Sequence, residues 1–296
     1  SVETILHAIL PHKYVDHTHA DAVLSVSNAP DGDKRMRDIY GDRVVVIPYV
    51  MAGFDLASYC ASEFPKQAHQ GTIGMILLSH GVFSFAAEAR ESYELMIELV
   101  SMAERYLEGK KAWSTGLPPV AVPEFKREEV ARLRHEVSKA AGFPLLCRCS
   151  PTPRFLGFAR HPAVARISQG GPATPDHVIW TKPLPMLDRN VEDFSLGYKN
   201  YFDRNSKKAK EPKTMLDVAP RMALDPELGL AAFGLTAKDT GIVEDIYEHT
   251  IDVILRAEAL GGWQALDDKH TFDIEYWDLE QAKLKNAGSP PAFTGE

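Results

Sequence analysis

Apolar and polar residues change rhythm several times along this chain, and the rhythm predicts its elements. Residues 2–10 suit a short helix, stopped at Pro11. Residues 15–19 read as a strand, and 22–27 begin a helix after it. Asn28 to Asp33, with Pro30 and Gly32, has the chemistry of a loop. Val44–Ile47 is a continuous apolar run closed by Pro48, as a buried strand is. Residues 55–64 read as a helix and 73–78 as the next buried strand. A further strand opens at Gly81. It leads into residues 88–108, where Ala89, Met96, Val100, Ala103 and Leu107 recur at helical spacing. That stripe is core packing and carries no chemistry.

A break follows at Gly116-Leu117-Pro118-Pro119 and runs to Pro123, dividing residues 1–115 from 116–296. Beyond it the pattern predicts a helix at 127–140 and strands near 143–149 and 155–160. Pro175-Asp176-His177-Val178 reads as a turn into another strand, which is favoured over a catalytic Asp-His pair. Strands at 222–224 and 230–233 precede a long helix. Its start, Thr236-Ala237-Lys238-Asp239, fits a capping box with Asp in place of Glu. Phe272, Ile274 and Tyr276 alternate as a half-buried strand would. Gly229-Leu230-Ala231-Ala232-Phe233 echoes Gly81-Val82-Phe83-Ser84-Phe85. The second half therefore reads as a degenerate repeat of the first, although any strand followed by a helix has this look.

Composition narrows the class. With 45% apolar and 25% charged residues, the chain has the balance of a globular protein with sizeable cores. A net charge of −8 argues against a nucleic-acid partner, because phosphate binding needs a basic face. Lys207, Lys208 and Lys210 form the one basic cluster, read as a solvated loop. No apolar run reaches a membrane span of about 20 residues, and no signal-peptide pattern is visible. Cys60, Cys147 and Cys149 make an odd number, which points to a reducing, cytoplasmic compartment. Cys147 and Cys149 are read as buried thiols rather than as metal ligands.

The candidate chemistry lies in three histidines. His17 and His19 stand one residue apart on a predicted strand, so their imidazoles share a face. His80 follows the apolar strand ending at Leu78 and precedes Gly81. Three imidazoles on one ion make the open site of a catalytic divalent metal. Two spaced histidines alone are more often incidental; the third and its context raise the signal.

With Ser1-Val2-Glu3 ahead of the H-x-H pair and His-Gly behind it, the chain resembles the class II aldolase/adducin family over roughly residues 1–110. The resemblance implies an α/β fold, an α/β/α layered sandwich, to which the pattern of the second half adds the expectation of a second, degenerate aldolase-like α/β unit. It implies zinc, or another divalent metal, on His17, His19 and His80. It implies Glu3 as acid/base, Tyr49 of Pro48-Tyr49 as a proton donor, and Ser1 as a remnant of a substrate-phosphate site. The activity implied is reversible cleavage of a ketose, a ketose 1-phosphate such as rhamnulose or fuculose phosphate. The small-molecule sugar would be handled in a homo-oligomer with sites between subunits. Alternatives are a sugar-phosphate epimerase on the same scaffold and a non-catalytic, adducin-like module.

Family members carry a helix and several strands before the glutamate segment, so the resemblance implies either that this chain is a fragment of a longer protein or that the preceding part was lost or removed. The region of Phe272 to Leu284, followed by Pro290-Pro291-Ala292-Phe293, looks like the middle of two-part bacterial proteins in which a short-chain dehydrogenase follows. The chain has no G-x-G-x-x-G, so no NAD site of that kind is expected within it. An oxidoreductase label on the parent would belong to residues beyond Glu296.

Overall fold

A computed structural model of the chain describes residues 4–117, 120–124 and 126–278. Contacts divide it into two units, residues 1–115 with 252–265, and residues 116–251 with 266–296.

The first unit runs α1 (Thr4–Ile9), β1 (Tyr14–Thr18), α2 (Asp21–Ser27), α3 (Gly32–Tyr40), β2 (Val44–Ile47), α4 (Phe54–Gln67), β3 (Gly74–Leu77), β4 (Gly81–Ala86) and α5 (Ala89–Gly109). Its sheet has the order β1-β4-β3-β2, antiparallel except for the parallel β2–β3 pair. Strand alternation builds two cores. Val44, Val46, Ile76 and Val82 face Val23 and Val26 of α2, Met36 of α3 and Leu99 of α5. Val45, Ile47, Met75, Phe83 and Phe85 face Leu6 of α1 with Leu56, Cys60 and Phe64 of α4. A sheet coated on both faces needs apolar residues at every position, which explains the unbroken runs in β2 and β3. The result is the α/β/α sandwich. Residues 252–265 complete this unit, adding Ala257 and Leu260 to the first of the two cores.

The second unit runs α6 (Arg127–Ala141), β5 (Leu146–Ser150), α7 (Pro153–Ala159), α8 (Val164–Ile167), α9 (Val178–Thr181), β6 (Met186–Leu187), α10 (Val191–Ser206), β7 (Met222–Asp225), β8 (Gly229–Gly234), α11 (Ala237–Ala259, whose residues from 252 on belong to the first unit) and α12 (Asp268–Glu275). Its sheet, β5-β8-β7-β6, has the same order and the same single parallel pair as the first. Both β3–β4 and β7–β8 are hairpins with three-residue connections, and each returns on a glycine. The second unit thus repeats the first, with shorter β6 and added α9 and α12.

Three elements differ from the sequence expectation. Residues 153–159 form helix α7, where a strand near 155–160 was expected. Thr152 caps it, accepting from Phe155 N at 3.3 Å, with Pro153 in its first turn, and that cap outweighs the short apolar run. The turn at Pro175 leads through a 3-10 turn, Pro175–His177, into α9 and not into a strand, since proline presets a helical φ. Phe272, Ile274 and Tyr276 belong to helix α12 and its end, not to a strand. Asp267 caps it by accepting from His270 N at 2.9 Å, and Phe272 stacks on Tyr276 at i,i+4 spacing, 4.5 Å between centroids. The expected capping box does open α11: Asp239 N donates to Thr236 Oγ1 and Thr236 N to Asp239 Oδ2, at 3.1 and 2.9 Å.

Candidate metal centre

His17 sits near the end of β1, and His19 one residue beyond it. His80 occupies the last position of the β3–β4 turn, held by His80 N donating to Leu77 O at 3.1 Å. Because β1 pairs antiparallel with β4, the end of β1 lies beside the start of β4, and the fold brings the three rings together. One ring nitrogen from each lies within 4.8 Å of the others. His17 Nε2 and His19 Nε2 are 3.0 Å apart, and each ring centroid stands 4.9–5.3 Å from its neighbours.

The surroundings aim the rings. His17 Nδ1 is 3.0 Å from Val82 O, so Nδ1–H donates to that carbonyl and Nε2 is left as the lone-pair nitrogen facing His19. Phe83, directly opposite His17 in the register, stacks on its ring at 4.0 Å. Gly81 is required by proximity. A Cβ there would lie 2.6 Å from Thr18 O, 2.9 Å from His17 Cε1 and 3.0 Å from His19 Cδ2. His80 is buried, while His17 and His19 are half-buried, so the cluster is a closed floor with an accessible side.

This donor set fits a divalent metal. Ligand nitrogens about 2.1 Å from a tetrahedral zinc stand about 3.4 Å from each other, a spacing that the 3.0 Å His17–His19 contact and the 4.8 Å limit for the whole set bracket. Three neutral imidazoles leave a fourth position for a substrate oxygen. Among the described residues this is the group of histidines, cysteines and carboxylates whose ligand atoms converge.

The other expected site residues fall differently. Tyr49 is half-buried, two residues past β2. Leu78 N donates to Ile47 O at 3.0 Å, so the chain carrying Tyr49 leaves the sheet at the same edge as the turn carrying His80. Ser1 and Glu3 lie outside the described residues. Cys60 is buried. Cys147 and Cys149 are half-buried thiols, 3.8 Å apart at sulfur, packed into the core under α6. Lys207, Lys208 and Lys210 are exposed, as a solvated loop requires. Sequence reasoning missed Val82, Phe83 and Gly81 as the parts that aim His17, although Gly81 beside His80 was a visible signal.

The second unit has nothing of the kind at the matching place. Aligning the hairpins residue for residue sets Cys149 where the first unit has His17, Pro151 for His19 and Leu228 for His80. Instead, Asp225 at the end of β7 holds Arg189 by two hydrogen bonds of 2.7 and 3.0 Å. Arg189 also donates to Glu129 and Glu227, both at 2.8 Å. Burial pushes the Asp225 carboxyl up. The Arg189 guanidinium and the Glu227 and Leu228 backbone N–H groups outweigh that and hold it below the usual range.

A sandwich with this sheet order and a three-histidine cluster at the sheet edge defines a class. The family model for the class II aldolase and adducin N-terminal domain matches residues 1–107, and that for the second domain of class II aldolases matches residues 124–284. The chain belongs to the class II aldolase/adducin family.

Among curated proteins it is similar to the "uncharacterized oxidoreductase YuxG" of Bacillus subtilis (strain 168), at 30% identity over 319 residues, 99% of this chain and 45% of that one. The chain therefore spans about half the length of that relative. Among solved structures, the N-terminal class II aldolase domain of a conserved protein from Thermoplasma acidophilum is 40% identical, covering 36% of this chain and 48% of the other, with a TM-score of 0.33. Among the described residues, no helix is long and apolar enough to cross a membrane.

Proposed function

We propose that the chain is a metal-dependent aldolase region that reversibly cleaves a ketose, with His17, His19 and His80 holding zinc or a similar divalent ion. The observation that carries this reading is the convergence of three imidazole nitrogens within 4.8 Å at one sheet edge. A bound ion there supplies a Lewis acid for the negative charge left on the carbonyl oxygen when the C–C bond breaks.

The chain's own residues do the rest. Val82 O fixes the His17 tautomer and Phe83 fixes its ring plane, so the donor set is held in place before substrate arrives. Glu3 moves the proton at the nucleophilic carbon, and Tyr49 protonates or deprotonates the other fragment's oxygen. We assign the substrate to ketose 1-phosphates, with Ser1 on the phosphate, and place the complete site in a homo-oligomer. In this reading residues 1–115 are the aldolase-like domain and 116–296 its non-metal repeat. The redox activity named for the Bacillus relative is assigned to the part of such proteins that this chain does not span.

The test is metal content of the purified protein by mass spectrometry, beside a His17→Ala/His19→Ala double variant. About one divalent ion per chain, absent from the variant, supports the reading. A protein that takes up no zinc, cobalt or manganese would overturn it and leave a non-catalytic binding module.

A further inference from the structure

The second unit has a cavity of about 410 Å³ between the segment leading into β6 and the face of α10. Its walls combine three aromatic rings, Phe194, Tyr198 and Tyr201, with polar side chains. Such a mix of flat apolar surface and a few placed polar groups is the make-up of a small-molecule site.

The cavity is built on restrained backbone. Lys182 and Asp188, which bracket the lining segment 183–187, both have left-handed φ values, +59° and +57°, that non-glycine residues rarely adopt. Gln169, itself part of the wall, donates to Pro185 O at 3.0 Å and pins the middle of that segment. Behind the wall, Tyr198 OH donates to buried Glu275 at 2.7 Å and meets Tyr276 OH at 2.7 Å, which locks the ring that faces the cavity.

The charges decide what fits. Arg204 and Asp268 pair with one another and cancel. That leaves Asp193, bonded by Asn190, and Asp188, which has no partner among the described residues. Two uncompensated carboxylates repel a phosphate or carboxylate ligand. A cation is disfavoured for another reason. Lys182 Nζ already lies 3.6 Å over the Tyr198 ring and donates to Asp217 O, so that ring face is taken and not open to a ligand cation. What remains is a neutral ligand with C–H faces for the rings and hydroxyls for Asp188, Asp193 and Gln169.

We propose that this cavity binds a neutral polyhydroxylated molecule, an unphosphorylated sugar or sugar alcohol, separately from the histidine cluster. The inference does not depend on the metal reading, because no residue is shared between the two places.

Saturation-transfer NMR on the full chain tests it, with D-fructose, L-fucose, L-rhamnose and sorbitol as neutral probes. Fructose 1-phosphate and tetramethylammonium are the charged counterparts. At least one neutral probe should receive saturation. Gly197→Phe fills the cavity from α10, where a Cβ has open space, and replaces a poor helix former; it should abolish the signal at unchanged or raised thermal stability. Asp188→Ala should weaken binding by about 3–10-fold, the loss of one hydrogen bond of ordinary strength, since Asp188 is exposed to water. The His17→Ala/His19→Ala variant should retain the signal, which separates this site from the metal centre. Silence from every neutral probe, a signal indifferent to Gly197→Phe, or preferential binding of either charged probe would overturn the proposal.

Discussion

Each unit has its own sheet of the same strand order, and the two differ at one corresponding edge. In both, an antiparallel strand ends against the return of a hairpin, and the returning glycine lies so close that a Cβ would strike a backbone oxygen. That oxygen is Thr18 O at 2.6 Å for Gly81 and Ser150 O at 2.5 Å for Gly229. In the first unit this closeness gathers His17, His19 and His80. In the second, the same positions carry Cys149, Pro151 and Leu228, and Asp225 ties the turn instead by accepting from Glu227 N and Leu228 N at 2.8 and 2.9 Å. The backbone therefore supplies the proximity, and a few side chains decide whether it serves a ligand set or an ion-paired brace.

Removing ligands from the first edge should give the largest effect. His17→Ala/His19→Ala takes away two of three donors and should cut metal affinity by more than about 100-fold, exceeding the loss typical of a mere supporting residue. Isothermal titration with zinc checks this, and the double variant should melt cooperatively, because both histidines are only half-buried. A variant that still binds zinc as tightly would place the metal elsewhere.

At the second edge the expected loss is in stability. Asp225 is buried and serves both Arg189 and two turn amides. Asp225→Ala should destabilise the chain by about 2–4 kcal/mol, measured by urea unfolding, since it leaves two turn N–H donors unsatisfied and takes from Arg189 one of its three carboxylate partners. Zinc affinity should not move. If it falls as well, the two edges are not independent.

The glycines sharpen the comparison, because the same change is made in both units. Gly81→Ala pushes against His17 and His19 as well as Thr18 O, so zinc affinity should drop by about tenfold. Gly229→Ala meets Ser150 O and a φ of +71°, and should cost about 1–3 kcal/mol of stability without touching metal binding. Equal effects of both variants on zinc would break the argument that only one edge holds the metal.

How much of this is legible in the sequence follows from the same contrast. The histidine cluster is legible in part: strand period puts His17 and His19 on one face and His80-Gly81 stands at a predicted turn, while the β1–β4 pairing that brings the three together is not local. β2 and α5 are legible for a similar reason, since each has one strong periodicity. Helix α3 was not expected, as it buries only Met36 and Tyr40 and otherwise looks like polar loop. α7 and α12 were misread because their caps, Thr152 and Asp267, are single residues competing with apolar runs that suggest strands. The Arg189 brace was invisible: Glu129, Arg189 and the turn that carries Asp225 and Glu227 come from three separate segments, and only the sheet order brings them together. The same holds for the cavity beside α10, where Gln169 and Asp268 face residues far from them in sequence.

The smallest effect expected concerns acid. In the folded chain the Asp225 carboxyl stays ionised below its ordinary pKa of 3.8, while in the unfolded chain it takes up a proton there. Unfolding then binds a proton, so the stability contributed by this group is complete above that value and declines as pH falls through the lower, folded one. Asp217 and Asp267, also held low by their partners, add slopes of the same sign, so the whole chain loses stability in acid and Asp225 accounts for only a share. Asp225→Asn keeps an oxygen for the turn amides but cannot titrate. Its urea midpoint should therefore start lower at pH 7 and fall less steeply between about pH 5 and 3. Parallel slopes for the variant and the parent would mean that neither Arg189 nor the turn amides hold the carboxyl down in the folded chain, and that the brace at the second edge is a geometric tie rather than an electrostatic one.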